Sequence, residues 1–105
     1  MSVQEFMQKS GIPNKLRGYE FIKKAIELKL ENPNMNMSQI KMRIGVENGV
    51  TVVSIEKCIG WAIDNGFPNM NHMLRNVMFD YCKDAIPTPK EYIEGVAYAI
   101  RNNII

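Results

Sequence analysis

Helix start and stop signals divide this sequence into segments before any apolar residue is counted. Thr88-Pro89-Lys90-Glu91 is the clearest start: Thr88 caps, Pro89 takes the first helical position where a missing N–H costs nothing, and Glu91 completes a capping box. Ser2-Val3-Gln4-Glu5 has the same form near the beginning, and Asn36 with Gln39 makes a similar pair. The stops are Gly11-Ile12-Pro13, Asn32-Pro33-Asn34, Gly45 or Asn48-Gly49, and Asn65-Gly66-Phe67-Pro68. Between these marks the apolar residues recur at three- and four-residue steps, and no stretch shows a defensible strand pattern. The expected fold class is all-α.

Six helices follow from this punctuation. A short first helix opens at Ser2 with Val3, Phe6 and Met7 on its apolar face, and a long one runs from Asn14 to about Glu31 with Tyr19, Ile22, Ala25, Ile26 and Leu30 at helical spacing. A third carries Ile40 and Ile44 inward and Lys41 and Arg43 outward. Its end, at Ile44 or at Asn48, decides whether the next turn has three or four residues or is unusually long. The fourth helix spans Thr51 to Asp64 with Thr51 as N-cap. Met70, Met73, Leu74, Val77, Met78 and Tyr81 suggest a fifth, and Tyr92, Ile93, Val96, Ala97 and Ile100 line the last.

Composition narrows the class. A chain of 105 residues is long enough for a single domain, residues 1–105, whose core needs no disulfide or metal. Hydrophobic residues at 46% and charged residues at 23% argue against disorder and against a membrane protein. No apolar run approaches the ~20 residues that cross a bilayer, and no signal peptide opens the chain, so the expected compartment is the cytoplasm. Cys58 and Cys82 lie on helical patterns and read as reduced, buried small hydrophobes. With His72, a residue expected to face solvent near a helix start, they are the only soft metal ligands besides methionine sulfur. The chain has no C-x-x-C or H-x-x-x-H, so neither a metal nor a cofactor is expected. One histidine, no nucleophile elbow and no phosphate-binding glycine loop leave little basis for an enzyme.

The fourth helix has two faces with different roles. Ile55, Cys58, Ile59, Ala62 and Ile63 form one apolar stripe, while Val53, Glu56, Lys57, Gly60, Trp61 and Asp64 fall on the other side. A mixed face after a short helix and a glycine-containing turn is how a helix-turn-helix, here about 37–65, presents its second helix to the DNA major groove. Glu56 has the chemistry to accept from a cytosine amino group, and Lys57 to donate to a guanine edge or a phosphate. Lys15, Arg17, Lys41, Arg43, Thr51 and Ser54 are the candidate phosphate contacts. Residues 1–43 hold eight Lys or Arg against four Glu (+4), 44–75 two against three (−1), and 76–105 three against four (−1). The basic excess lies in the first half, although the total is only +2.

With these residues in place, the chain resembles the C-terminal DNA-binding domain of stage zero sporulation protein A, a response regulator of spore-forming Firmicutes. Gly11-Ile12-Pro13 with Leu16-Arg17-Gly18-Tyr19, Phe21-Ile22 and Ala25-Ile26 is similar to that family's opening signature. Ile55-Glu56-Lys57-Cys58-Ile59 through Ala62-Ile63-Asp64 is similar to its recognition helix, and Pro87-Thr88 with Glu91-Tyr92-Ile93 to the start of its last helix. The resemblance covers roughly Ser2 to Arg101, with poorer matches around 32–50 and 67–86. It implies a compact six-helix, winged-helix-like effector domain without a clear β-wing. It also implies double-stranded DNA as partner, binding as tandem copies or a homodimer on tandem sites, and contact with the RNA polymerase sigma factor. The chain departs from the family at the reading face: Lys57 stands where the family has arginine, and Gly60 and Trp61 where it has a further Arg and His. No phosphoreceiver domain lies within these residues.

The resulting expectation is a transcription-regulator module that binds duplex DNA through base-facing Val53, Glu56, Lys57, Gly60 and Trp61. The alternative is a helix-turn-helix fold used as a protein-interaction module, with Trp61 and the Met-rich 70–81 region holding a partner. Trp61 fits a wedge against sugar and phosphate, a protein interface, or packing over a neighbouring helix.

Overall fold

Each of the three box sequences starts a helix. Ser2 Oγ accepts from Glu5 N at 3.1 Å, Asn36 Oδ1 from Gln39 N at 2.9 Å, and Thr88 Oγ1 from Glu91 N at 3.2 Å. In each case the side chain three residues on returns the bond to the cap's own N–H, so two otherwise orphaned amides are satisfied at every start. Thr51 caps more simply, accepting from Ser54 N at 3.1 Å.

The structure, a computed structural model, describes residues 1–79 and 85–105. Among them the helices are α1 (Val3–Lys9), α2 (Arg17–Glu31), α3 (Met37–Asn48), α4 (Val52–Gly66), α5 (His72–Phe79) and α6 (Pro89–Arg101), with one 3-10 turn, Phe67–Asn69, after α4. No strand, and so no β-wing, occurs among the described residues. No helix there is long and apolar enough to cross a membrane. Tyr81, expected in the fifth helix, and Cys82 lie outside the described residues.

α2 is the central strut. Ile22, Ala25 and Ile26 are fully buried, and the helix packs along both α4 and α6. The approach to α4 is set by Gly18, where a Cβ would collide with the Cys58 carbonyl oxygen and with Ala62 Cβ; only a residue without a side chain lets the two backbones come this close. At its other end Arg101 of α6 donates to the Lys29 and Leu30 carbonyl oxygens at 2.7 and 3.3 Å, satisfying acceptors that a helix C-terminus leaves free. Lys29 also donates to Met35 O at 2.8 Å and faces Glu94 at 3.6 Å.

Three departures from the sequence reading have local causes. α2 begins at Arg17 rather than Asn14, because Leu16 N bonds to Pro13 O at 3.2 Å and closes a turn. Leu16 itself is extended. α4 runs through Asn65 to Gly66 instead of ending near Asp64. Asn65 spends its side chain on Trp61 O at 2.8 Å. Gly66 stays right-handed and serves as a flat seat for Ile12, which a Cβ would strike. Finally, α5 buries only part of the face assigned to it. Leu74 and Phe79 are buried, but Met73 is 78% and Val77 55% exposed. Phe79 anchors this helix by lying 5.4 Å from the Phe67 ring and stacking at 5.7 Å on Tyr92 of α6, which Phe6 meets edge-on at 6.0 Å.

Candidate nucleic-acid interface

The turn between α3 and α4 comes first, since it fixes how α4 is held. α3 runs to Asn48, so Gly49, Val50 and Thr51 alone make the link, the shorter of the two possibilities the sequence left open. Gly49 takes the left-handed conformation (φ 65°), and Val50 N returns to Gly45 O at 3.0 Å. This is a Schellman-type close, in which the residue after the left-handed glycine satisfies a carbonyl of the last turn. Ile40 and Ile44 of α3 and Ile55 and Ile59 of α4 are fully buried in the shared core.

The inner stripe of α4 is buried as expected: Ile55, Ile59, Ala62 and Ile63 have almost no exposure, and Cys58 is intermediate. Its outer face is open. Val53 is 57% and Trp61 59% exposed, and Glu56, Lys57 and Asp64 are also exposed. At ~100° per residue these positions occupy one continuous sector. Trp61 and Glu56 mark its two edges, with Lys57, Asp64, Val53 and Gly60 between them. Lys57, Cys58, Gly60, Trp61 and Asp64 together line a shallow open depression. A Cβ on Gly60 would meet nothing within 4 Å, so the space over Gly60 is empty.

Each edge is flanked by another helix. On the Glu56 edge, Lys41 of α3 places its Nζ 3.0 Å from Glu56 Oε1, bridging the two helices. On the Trp61 edge, the contact of Gly18 with Cys58 and Ala62 sets the first turn of α2 beside the middle of α4. That brings Arg17, which covers the Phe21 ring at 5.4 Å, and the exposed Lys15 into the same neighbourhood. Lys15, Arg17 and Lys57 have no ion-pair partner among the described residues. Arg43 is placed differently: two residues beyond Lys41, it points roughly 160° around α3 from it and pairs with Glu47 at 3.5 Å. Thr51, exposed, and Ser54, half-buried, sit at the N-terminus of α4, the positive end of the helix dipole, with the Ser54 amide donated to the Thr51 hydroxyl.

Lys41, a phosphate candidate from the sequence, bridges to Glu56, a pairing that residues 15 apart do not signal. Met42 and Val46 are also exposed, on the outer side of α3; their displacement from the Ile40 and Ile44 stripe is the sequence signal for this. His72 is exposed at the first position of α5, as expected.

Two helices joined by a three-residue turn, the second offering a solvent-open mixed face, define a helix-turn-helix domain of the DNA-binding kind. The chain matches the family described as sporulation initiation factor Spo0A C terminal over residues 3–100, and it belongs to that family, the DNA-binding domain of a sporulation transcription factor. Among curated proteins none matches it at significant similarity.

Proposed function

We propose that this domain binds double-stranded DNA by laying α4 in the major groove, with Val53, Glu56, Lys57, Gly60 and Trp61 toward the base edges. The observation that carries the reading is the open sector of α4, continuous over three turns and held at both edges by neighbouring helices. Glu56 keeps one carboxylate oxygen on Lys41, which leaves the other to accept from a cytosine amino group. Lys41 thus serves less as a phosphate contact than as the residue that aims Glu56. Lys57 is a point charge and suits a single guanine acceptor or a phosphate rather than bidentate reading. Lys15 and Arg17 on one flank and the α4 N-terminus at Thr51 and Ser54 supply backbone contacts that position the duplex. Arg43, on the far flank of α3, is the weakest of the phosphate candidates.

The test is fluorescence anisotropy on a labelled duplex bearing the family's operator box, beside a scrambled duplex, across a salt titration. Lys57→Ala is expected to weaken binding and to lower the salt slope by about one, while Arg43→Ala has the smaller effect. Unchanged affinity in Lys57→Ala means that the assigned face is wrong.

One observation favours the second reading, a protein-interaction module. Val77, Met78, Tyr98 and Ile104 line a groove between α5 and α6 together with Glu91 and Glu94, a surface separate from α4. A sigma factor or a second copy on tandem sites would be held there. The expected sign is partner capture that survives Lys57→Ala.

A further inference from the structure

The base-facing sector of α4 is chemically lopsided. Its polar groups, Glu56 and Lys57, lie one turn after Val53 and one turn before Trp61, and both flanking residues expose large apolar surface. In the major groove the largest apolar feature a base pair presents is the C5-methyl group of thymine. An exposed valine or tryptophan facing base edges therefore has its most favourable partner there, and it carries a desolvation cost opposite any other pair.

We propose that Val53 and Trp61 read thymine methyl groups on either side of the base pair contacted by Glu56 and Lys57. The inference rests on α4 lying in the major groove. The spacing fits: eight residues at ~1.5 Å per residue separate the two side chains by ~12 Å along the helix, or three to four base pairs at ~3.4 Å each. Gly60 gives the second contact its room. Apart from its chain neighbours and its own helix backbone, nothing lies within 4 Å of where its Cβ would be, so the duplex edge can enter beside the indole without meeting a side chain from another helix. Asp64, one turn further on the same sector, repels phosphate and marks the end of the reading surface.

The experiment selects duplexes from a pool with a randomised centre on the 105-residue chain, then remakes the selected duplex with deoxyuridine in place of thymidine, which removes only the 5-methyl groups. The expected result is selection of thymines about three to four base pairs apart. Each methyl lost should weaken binding by about fourfold, from ~0.8 kcal/mol per buried methyl-sized group at ~1.4 kcal/mol per tenfold. In the double variant Val53→Ala, Trp61→Ala the thymidine and deoxyuridine duplexes should bind alike. Both side chains are exposed, so the variant keeps the core. Equal binding of the two duplexes by the parent chain, or a methyl preference that persists in the double variant, overturns the inference while leaving groove binding intact. Failure to select any duplex overturns both.

Discussion

The two faces of α4 are built to opposite tolerances. Toward α2 the helix is locked: Ile55, Ile59, Ala62 and Ile63 are buried, and Gly18 brings one backbone against the other so closely that a single methyl would collide. Toward solvent it is loosely set, with one bridge between Lys41 and Glu56 at 3.0 Å, an uncovered tryptophan and an empty space over Gly60. A helix can offer a variable surface only if something else fixes where it sits. Here the inner face supplies the position and leaves the outer face free to change without loss of fold. The chain thus keeps its family's architecture with Lys57, Gly60 and Trp61 on a face whose side chains the core does not dictate.

The largest expected effect is on the locked face. Ile59→Ala should cost about 2 to 5 kcal/mol of stability, the usual range for removing a fully buried branched side chain, as read by the urea midpoint. Gly18→Ala comes next at about 1 to 3 kcal/mol, because the obstacles are a carbonyl oxygen and a helix rather than a flexible side-chain end. Gly18→Ala should also displace α4 from α2, so it should weaken DNA binding more than its stability loss explains. Either substitution passing without effect would break the contrast between the faces.

The open face should respond in the opposite sense. Gly60→Ala is expected to stabilise the domain by about 0.8 to 1 kcal/mol, the helix-propensity gain at a half-buried position where a Cβ meets no neighbouring element, and thermal denaturation reads it directly. A loss there would show that the space over Gly60 is occupied in solution. The smallest effect lies away from α4 and serves as a reference. Bonds from the Thr88 backbone and hydroxyl hold the Glu91 carboxyl below the usual carboxylate range. A pKa lower in the folded than in the unfolded chain gives a contribution that is full above the unfolded value and lost as pH falls through the folded one. Glu91→Gln should therefore flatten the acid limb of the stability profile below about pH 4.5 and leave DNA binding unchanged. An identical acid limb in both proteins would remove the box from the account of α6.

Helix existence was legible because caps and stops are local. Ser2, Asn36, Thr51 and Thr88 each announce a start within three residues, and each forms the bond that its sequence implies. The stop at Asn65-Gly66 was right and its boundary two residues early, because a glycine can end a helix or let one pack closely, and only the arrival of Ile12, distant in sequence, shows how Gly66 is used. Met73 and Val77 misled because helical spacing marks a face without saying whether anything covers it. At the candidate site, the open sector of α4 followed from periodicity alone. The Lys41–Glu56 bridge and the seat of Gly18 did not, since both depend on how separate helices are brought together.

The most direct measurement is a titration of the nitrogen-15-labelled domain with the operator-box duplex, following every backbone amide. The expected result is that the largest shifts fall on α4 from Thr51 to Trp61 and on the first turn of α2 around Arg17, with α5 and α6 unmoved. Shifts centred on the groove between Val77 and Tyr98, with α4 silent, would contradict the assignment of α4 as the DNA-reading helix.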